Sequence, residues 1–348
     1  MPAIVKNNLI KVPATMRAAV YRGRDDVRLE TVPVPPIESD ELLVKVAVCG
    51  VCPTDIKKIK FGTVPPPRIF GHETAGTIVR VGSRVRGFRV GERVAVHHHV
   101  PCLDCHACRH RAFAQCAQYK RTGITAGFVP AGGGFSNFVR VMPFVFPGIV
   151  RIPARNTFAE GAMLEPVNTV LKAIYRLGLL KGDHVLVVGQ GPIGLMFTRL
   201  LSLMKMNVTA TDLIPERLKI ARRFGANRIK IDKNLPLDAA IICAPSDAAV
   251  TEALDLVAGA GKVLLFAHTK RGAAADVDLS KICVDEKDLI GSYSADFTLQ
   301  AEVARWVFSR KLDVRRLITH TFPLEDARRA IDLAATPTPQ SLKVVIAP

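Results

Sequence analysis

Four cysteines sit in one short stretch of this chain, Cys102, Cys105, Cys108 and Cys116, at the spacing C-x2-C-x2-C-x7-C. Thiolates on two-residue loops suit tetrahedral zinc. Four sulfurs leave no position for a reacting ligand, so such a site holds a lobe together rather than doing chemistry. Thiolates at short spacing also ligate iron–sulfur clusters, which is the alternative reading. A second signature is Gly189, Gly191 and Gly194, a G-x-G-x-x-G that follows the apolar run His184–Val188, with Pro192 and Ile193 opening a helical stretch. In that setting the first glycine makes the tight turn, the second lets a pyrophosphate approach, and the third lets the helix pack closely. The helix N-terminus then offers N–H groups to the anion. Asp212 closes the next strand, 18 residues after Gly194. A carboxylate there accepts the adenosine ribose hydroxyls and repels a 2′-phosphate, which favours NAD; Arg217, five residues on, is the feature that would admit NADP. A third set consists of Cys52 in CGVCPTD, His72 and Glu73 in GHETAG, and Glu165 in LEPVNT. Thiolate, imidazole and carboxylate are the ligand types of a catalytic zinc with an open position. Their spacing does not assemble them, and each reads equally as a buried thiol, a satisfied histidine or a helix-start glutamate.

The elements that must position these residues divide the chain in two. At 348 residues with 49% hydrophobic and 23% charged side chains, it exceeds the size at which one core stops growing, and two domains are expected. The first part is β-rich, with LLVKVAVCGV at 42–51 and short strands within 76–96. From about residue 165 strands alternate with helices: His184–Val188, Val208–Thr211, Arg228–Ile231, Ala239–Cys243, Val263–Phe266 and Leu289–Ser292, with helices at 215–224 and 246–258. Six such strands predict a doubly wound parallel sheet, and hence an α/β fold. Helical patterns at 299–310 and 324–334 precede a last strand, Leu342–Ile346. The expected organisation is an extension at 1–15, a catalytic domain at 16–164 with its cysteine lobe at about 97–120, a dinucleotide domain at 165–297, and a return to the first domain at 298–348. Cys49, Cys243 and Cys283 read as buried thiols, and His97–His99 as strand-end surface.

No apolar run approaches the length of a membrane span, and MPAIVKNNLIKVPAT has neither an apolar signal core nor a small-residue cleavage site, so a cytoplasmic location is expected. The net charge of +17, from 48 basic and 31 acidic residues, is compatible with an anionic partner. However, aromatic residues are 6% and no basic run is interleaved with rings that stack on bases, so nucleic acid is not the expected ligand. The charge reads as a surface property without an assigned partner.

The order CGVC-PTD, GHE-x2-G-x5-G, four-cysteine lobe and GxGPxG resembles the zinc-dependent medium-chain alcohol dehydrogenase family from Met16 to the C-terminus. Within it the chain is most similar to polyol (sorbitol or iditol) and threonine dehydrogenases, through Glu165 and the Gly291-Ser-Tyr-Ser segment. The resemblance implies a GroES-like catalytic domain with an inserted Rossmann domain, two zinc ions per chain, and hydride transfer from a secondary alcohol to NAD. A threonine-type amino alcohol and NADPH-dependent reduction are the alternatives, and a nucleotide- or RNA-binding relative without catalysis is the non-enzyme reading. It implies that Cys52, His72 and Glu165 ligate the catalytic zinc, with Glu73 as a further ligand. Thr54 would bond the substrate oxygen, Asp55 support the ligand geometry, and Thr169 pack behind the nicotinamide. Pro53 replaces a common glycine, and Lys57 stands where some relatives end a proton relay with histidine. The family's habit implies a homodimer or homotetramer.

Overall fold

The computed structural model describes residues 12–97, 100–118, 132–232, 234–244, 248–267, 272 and 274–348. Residues 1–11 of the expected N-terminal extension, and His98 and His99, lie outside them. The chain forms two units, one of Met1–Ala162, His320–Thr336 and Val344–Pro348, the other of Met163–Thr319 and Pro337–Lys343.

The first unit is built from antiparallel strands. These are β1 (Thr15–Gly23), β2 (Asp26–Pro33), β3 (Leu42–Gly50), β4 (Arg68–Ile69), β5 (Glu73–Val81), β6 (Arg93–Val96), β7 (Phe138–Val141) and β8 (Ile149–Arg151). The sequence of β3, LLVKVAVCG, exposes only Lys45; β5 pairs on one edge while β7 and the C-terminal strand Lys343–Ala347 pair on the other, and most of its apolar side chains enter the core. Gly76 permits the close β3–β5 approach, since a Cβ there would lie 2.1 Å from the Lys45 carbonyl oxygen. The register sets Gly50 opposite Glu73, and Thr74 opposite Val96. His97, just past β6, is 1% exposed, not surface as the sequence implied. A histidine triplet carries no periodicity that would mark its first member as buried, and burial pushes the His97 imidazole down to about 3, the neutral form.

The helix Pro53–Phe61 is tied to its surroundings by charge. Lys60 Nζ lies 2.9 Å from Asp25 Oδ1 and 3.1 Å from Asp332 Oδ1, and Arg328 bridges the same two carboxylates. The hydrogen bond from Lys60 holds the Asp25 carboxyl below its ordinary value. For Asp332, burial raises the pKa, but Arg328 and Lys60 outweigh it and the net direction is down. Carboxylates depressed in the folded state stabilise it above the unfolded value of about 4 and lose that contribution as pH falls through the folded value. Lys60→Met is therefore expected to flatten the acid limb of the urea midpoint measured against pH, below about pH 4. The pairs are partly exposed and screened by solvent, so at neutral pH the change should be small.

The second unit carries a parallel sheet in the order β10-β9-β11-β12-β13, with β9 (His184–Val188), β10 (Asn207–Thr211), β11 (Leu237–Ile242), β12 (Val257–Leu265) and β13 (Asp288–Gly291). The α/β fold is as expected, but among the described residues this sheet has five strands rather than six. Arg228–Ile231 contributes a single bridge, Arg228 to Thr209, because only its two isoleucines are apolar and its alternating charges keep it at the surface. The helix Gln300–Phe308 packs on the helix Leu164–Leu177, and the unit runs to Thr319, beyond the residue 297 read from the strand pattern. Cys283 ends a short helix and is exposed, not buried. No helix among the described residues is long and apolar enough to cross a membrane.

Candidate active site

The β3–β5 register decides what surrounds Cys52. With Gly50 opposite Glu73, the turn after β3 and the start of β5 share one end of the sheet. Cys52 Sγ, a ring nitrogen of His72 and a carboxylate oxygen of Glu73 then lie within 4.8 Å of one another. Cys52 is the N-cap of the helix Pro53–Phe61, with extended φ −103° and ψ 144°, and its Sγ accepts the Thr54 N–H at 3.5 Å. This accounts for Pro53, whose fixed φ and missing N–H suit the first helical position. Gly62, in the left-handed region at φ 64°, closes the helix.

His72 and Asp55 are 4% and 0% exposed, and His72 Nδ1 lies 3.1 Å from Asp55 Oδ1. A carboxylate accepting from Nδ1 fixes the tautomer with the lone pair on Nε2, the arrangement of a metal-bound histidine. Burial lowers the His72 pKa, but Asp55 and Cys52 outweigh it and hold it well above the ordinary value, so a metal binding at Nε2 displaces a proton there. Asp55 Oδ2 is buried with no hydrogen-bond partner among the described residues, and Glu73 is 1% exposed. A half-buried thiol beside two buried carboxyl groups calls for positive charge, and the sulfur, nitrogen and oxygen donors suit zinc. Glu165 belongs to the second unit, in the first turn of Leu164–Leu177, and is 6% exposed. Lys57 is partly buried, and that burial lowers its pKa.

The four-cysteine lobe forms a second group, its sulfurs also within 4.8 Å of one another. Cys102 Sγ lies 3.8 Å and Cys105 Sγ 3.5 Å from Cys108 Sγ, close to the edge of about 3.7 Å that zinc–sulfur bonds of ~2.3 Å require in a tetrahedron. Backbone N–H groups of Asp104 and Cys105 draw the Cys102 thiol down to about 6, whereas burial pushes Cys108 up to about 12. Both groups fit the metal.

In the second unit β9 runs into Gly189, at φ 89°, whose N–H donates to the Thr211 carbonyl at 2.8 Å. Pro192 is the first residue of the helix Pro192–Leu203, Ile193 follows, and Gly191 is its N-cap. Asp212 holds the loop: its Oδ2 accepts from the Gln190 N–H at 2.5 Å and its Oδ1 from the Ile214 N–H at 2.8 Å. Arg217 lies 4.0 Å from Asp212, and its buried Nε has no hydrogen-bond partner among the described residues. Thr169 Oγ1 donates to the Pro166 carbonyl at 2.8 Å. Sequence reasoning passed over Gln190, which is fully buried. Its side chain donates to the Val187 carbonyl and accepts from Thr198, locking the turn. A variable residue inside a glycine pattern gives no signal of such a role.

A parallel sheet with its glycine loop and a β-rich unit with two metal-suited groups define a metal-containing, dinucleotide-dependent oxidoreductase. The chain matches the alcohol dehydrogenase GroES-like domain over residues 38–153 and the zinc-binding dehydrogenase domain over residues 192–309. It is 30% identical to sorbitol dehydrogenase from Bombyx mori, over 91% of this chain and 94% of the relative. It is also 30% identical to sorbitol dehydrogenase from Bacillus subtilis, over 97% and 98%. Among solved structures, an alcohol dehydrogenase from E. coli CFT073 complexed with NADH superposes with TM-score 0.85 at 27% identity, covering 96% of this chain and 100% of that one. 2R,3R-butanediol dehydrogenase from Bacillus subtilis shares the fold at TM-score 0.82 and 23% identity, over 96% and 99%. This chain belongs to the zinc-dependent medium-chain alcohol dehydrogenase family, a family of zinc-binding, NAD(P)-dependent oxidoreductases.

Proposed function

We propose that the chain oxidises a secondary alcohol of a polyol or sugar alcohol to a ketone, with NAD as acceptor. The observation that carries this is the Cys52–His72–Glu73 group, three unlike donors at one sheet end, in a chain that also has the glycine loop. The polyol is supported by the sorbitol dehydrogenases at 30% identity. When bound, zinc supplies Lewis acidity toward the substrate oxygen and NAD takes up the hydride. Cys52 and His72 hold the metal, with Glu165 as the further ligand the family resemblance assigns and Glu73 beside them. Cys102, Cys105, Cys108 and Cys116 hold a structural zinc. Asp55 fixes the His72 ring and Thr54 takes the hydroxyl proton toward solvent, with Lys57 the cation on the same helix. Gly189, Gly191 and Gly194 admit the pyrophosphate, Asp212 receives the ribose, and Thr169 backs the nicotinamide ring.

A homodimer or homotetramer and a cytoplasmic location are part of this reading. β13 supports the first: among the described residues it is a sheet edge, with Leu289 exposed, and such an edge pairs readily with a second copy. The buried Nε of Arg217 supports a second reading for the cofactor, in which the guanidinium binds a 2′-phosphate and NADP is used.

The test is a panel of sorbitol, xylitol, threonine and 2-butanol with NAD and NADP, followed at the absorbance of the reduced cofactor. Polyols with NAD should give the highest kcat/KM. Turnover confined to threonine or 2-butanol would displace the polyol, and no turnover with any of them would remove the proposal. Asp212→Ser should shift the NADP-to-NAD preference upward by about tenfold, since the carboxylate that repels a phosphate is gone.

A further inference from the structure

The strand β13 ends at Gly291, and the next five residues, 292–296, form a strap at the carboxyl edge of the parallel sheet. This is the edge where open α/β sheets bind ligands, and it also carries the glycine loop and Asp212. The sheet order gives the strap a direction. Asp212 follows β10 and the glycine loop follows β9, so a dinucleotide laid from ribose to pyrophosphate continues over β11 and β12 toward β13.

One helix grips this strap. On Leu164–Leu177, the residues Glu165, Asn168, Thr169 and Lys172 fall at i, i+3, i+4 and i+7, one face of a helix whose other positions are largely apolar. Asn168, fully buried, brackets Asp296: its Nδ2 donates to the Asp296 carbonyl at 2.9 Å and its Oδ1 accepts the Asp296 N–H at 2.8 Å. Lys172 Nζ donates to the Tyr293 carbonyl at 2.7 Å and to the Ser294 carbonyl at 3.4 Å. Between these holds, Ser294 sits in the left-handed region at φ 63°, a conformation that a non-glycine residue keeps only when its surroundings impose it. Ser292 Oγ is buried with no hydrogen-bond partner among the described residues.

We propose that Lys172 is a positioning residue for the nicotinamide half of the cofactor, acting through the strap that its ammonium holds in place. In a trans peptide the N–H points opposite to the preceding C=O. Drawing the carbonyls of Tyr293 and Ser294 to Lys172 turns the N–H groups of Ser294 and Ala295 away from the helix. The hold thereby fixes the orientation of the peptide units that follow Tyr293 and Ser294 at the carboxyl edge. Burial lowers the pKa of the Lys172 ammonium, partly offset by Asp296, in keeping with a cation spent on carbonyls rather than on water. A neutral side chain of similar length would fill the space and lose the hold.

The inference rests on the dinucleotide reading above, and the experiment separates the two. NADH and ADP-ribose, which lacks the nicotinamide, are titrated calorimetrically into the wild-type protein and into Lys172→Met, Lys172→Gln and Lys172→Arg. Loss of charge-assisted hydrogen bonds should weaken NADH binding by about tenfold in the Met variant, with ADP-ribose affinity within about twofold of wild type and Arg restoring most of the loss. The Gln variant should fall between Met and Arg, and it carries the comparison if the Met variant does not fold. A parallel loss for both ligands would make Lys172 merely structural, and unchanged NADH affinity would leave it without the role; either result overturns the inference. Wild-type protein that binds neither ligand would overturn the dinucleotide reading and this inference with it.

Discussion

Cys52→Ala is expected to release one of two zinc ions per chain and to lower kcat by about a thousandfold or more, while NADH affinity changes little. The physical reason is the crowding of acceptors at that end of the β3–β5 pair. In the proposed site Cys52 would supply the soft ligand, His72 presents one nitrogen because Asp55 occupies the other, and Glu73 is buried beside them. Removing the thiolate takes away the strongest donor for zinc and also the Thr54 N–H acceptor that caps the helix, so a smaller loss of stability, about 1 kcal/mol, should accompany it. Metal content by mass spectrometry and NADH binding by fluorescence check the two halves. Retention of both zinc ions with full turnover would place the chemistry elsewhere. Loss of NADH binding in step with activity would point to misfolding. His72→Ala should behave in the same way, whereas Cys105→Ser should lower the melting temperature before it touches the chemistry.

Gly191→Ala and Gly194→Ala are expected to fail for different reasons, although both glycines belong to one sequence motif. A Cβ at Gly194 would lie 1.8 Å from the Gly189 carbonyl oxygen, a backbone atom that cannot rotate out of the way. The helix must shift off the turn, at a cost of about 1–3 kcal/mol or more, and the dinucleotide site deforms with it. A Cβ at Gly191 meets nothing within 4 Å, so the folded protein has no need of glycine there. Its need arises only when a pyrophosphate approaches the backbone. Gly191→Ala should therefore keep the wild-type melting temperature and lose NADH affinity by at least about tenfold, while Gly194→Ala loses both. Thermal unfolding with and without NADH distinguishes them. Unchanged NADH affinity in Gly191→Ala would remove the loop from the cofactor site.

What was legible in the sequence was local. Four sulfurs within 15 residues can be read as one group because the chain is too short there to separate them. A glycine loop is legible for the same reason, since strand, turn and helix are contiguous. The same locality misled at Arg228–Ile231, where alternation of charged and apolar residues imitates a strand and the chain makes one bridge. It misled again at His97, whose burial depends on what β5 and β8 place beside the end of β6. Pro53, which replaces a common glycine, has its reason in the fold: Cys52 caps the helix that Pro53 opens.

The sequence by itself determined the α/β class, the dinucleotide loop and the cysteine lobe, because each is written in contiguous residues whose spacing the backbone must respect. Only the tertiary structure decided which single thiols, imidazoles and carboxylates meet. Cys52 and His72 are 20 residues apart in the chain, and their meeting depends on the antiparallel register that sets Gly50 against Glu73. A slip of one residue in that pairing would turn the side chains of β5 to opposite faces and dissolve the group. Lys172 and the strap at 292–296 are likewise joined only in the folded chain, by the hydrogen bond from Lys172 to the Tyr293 carbonyl, and nothing in the spacing of 121 residues announces it.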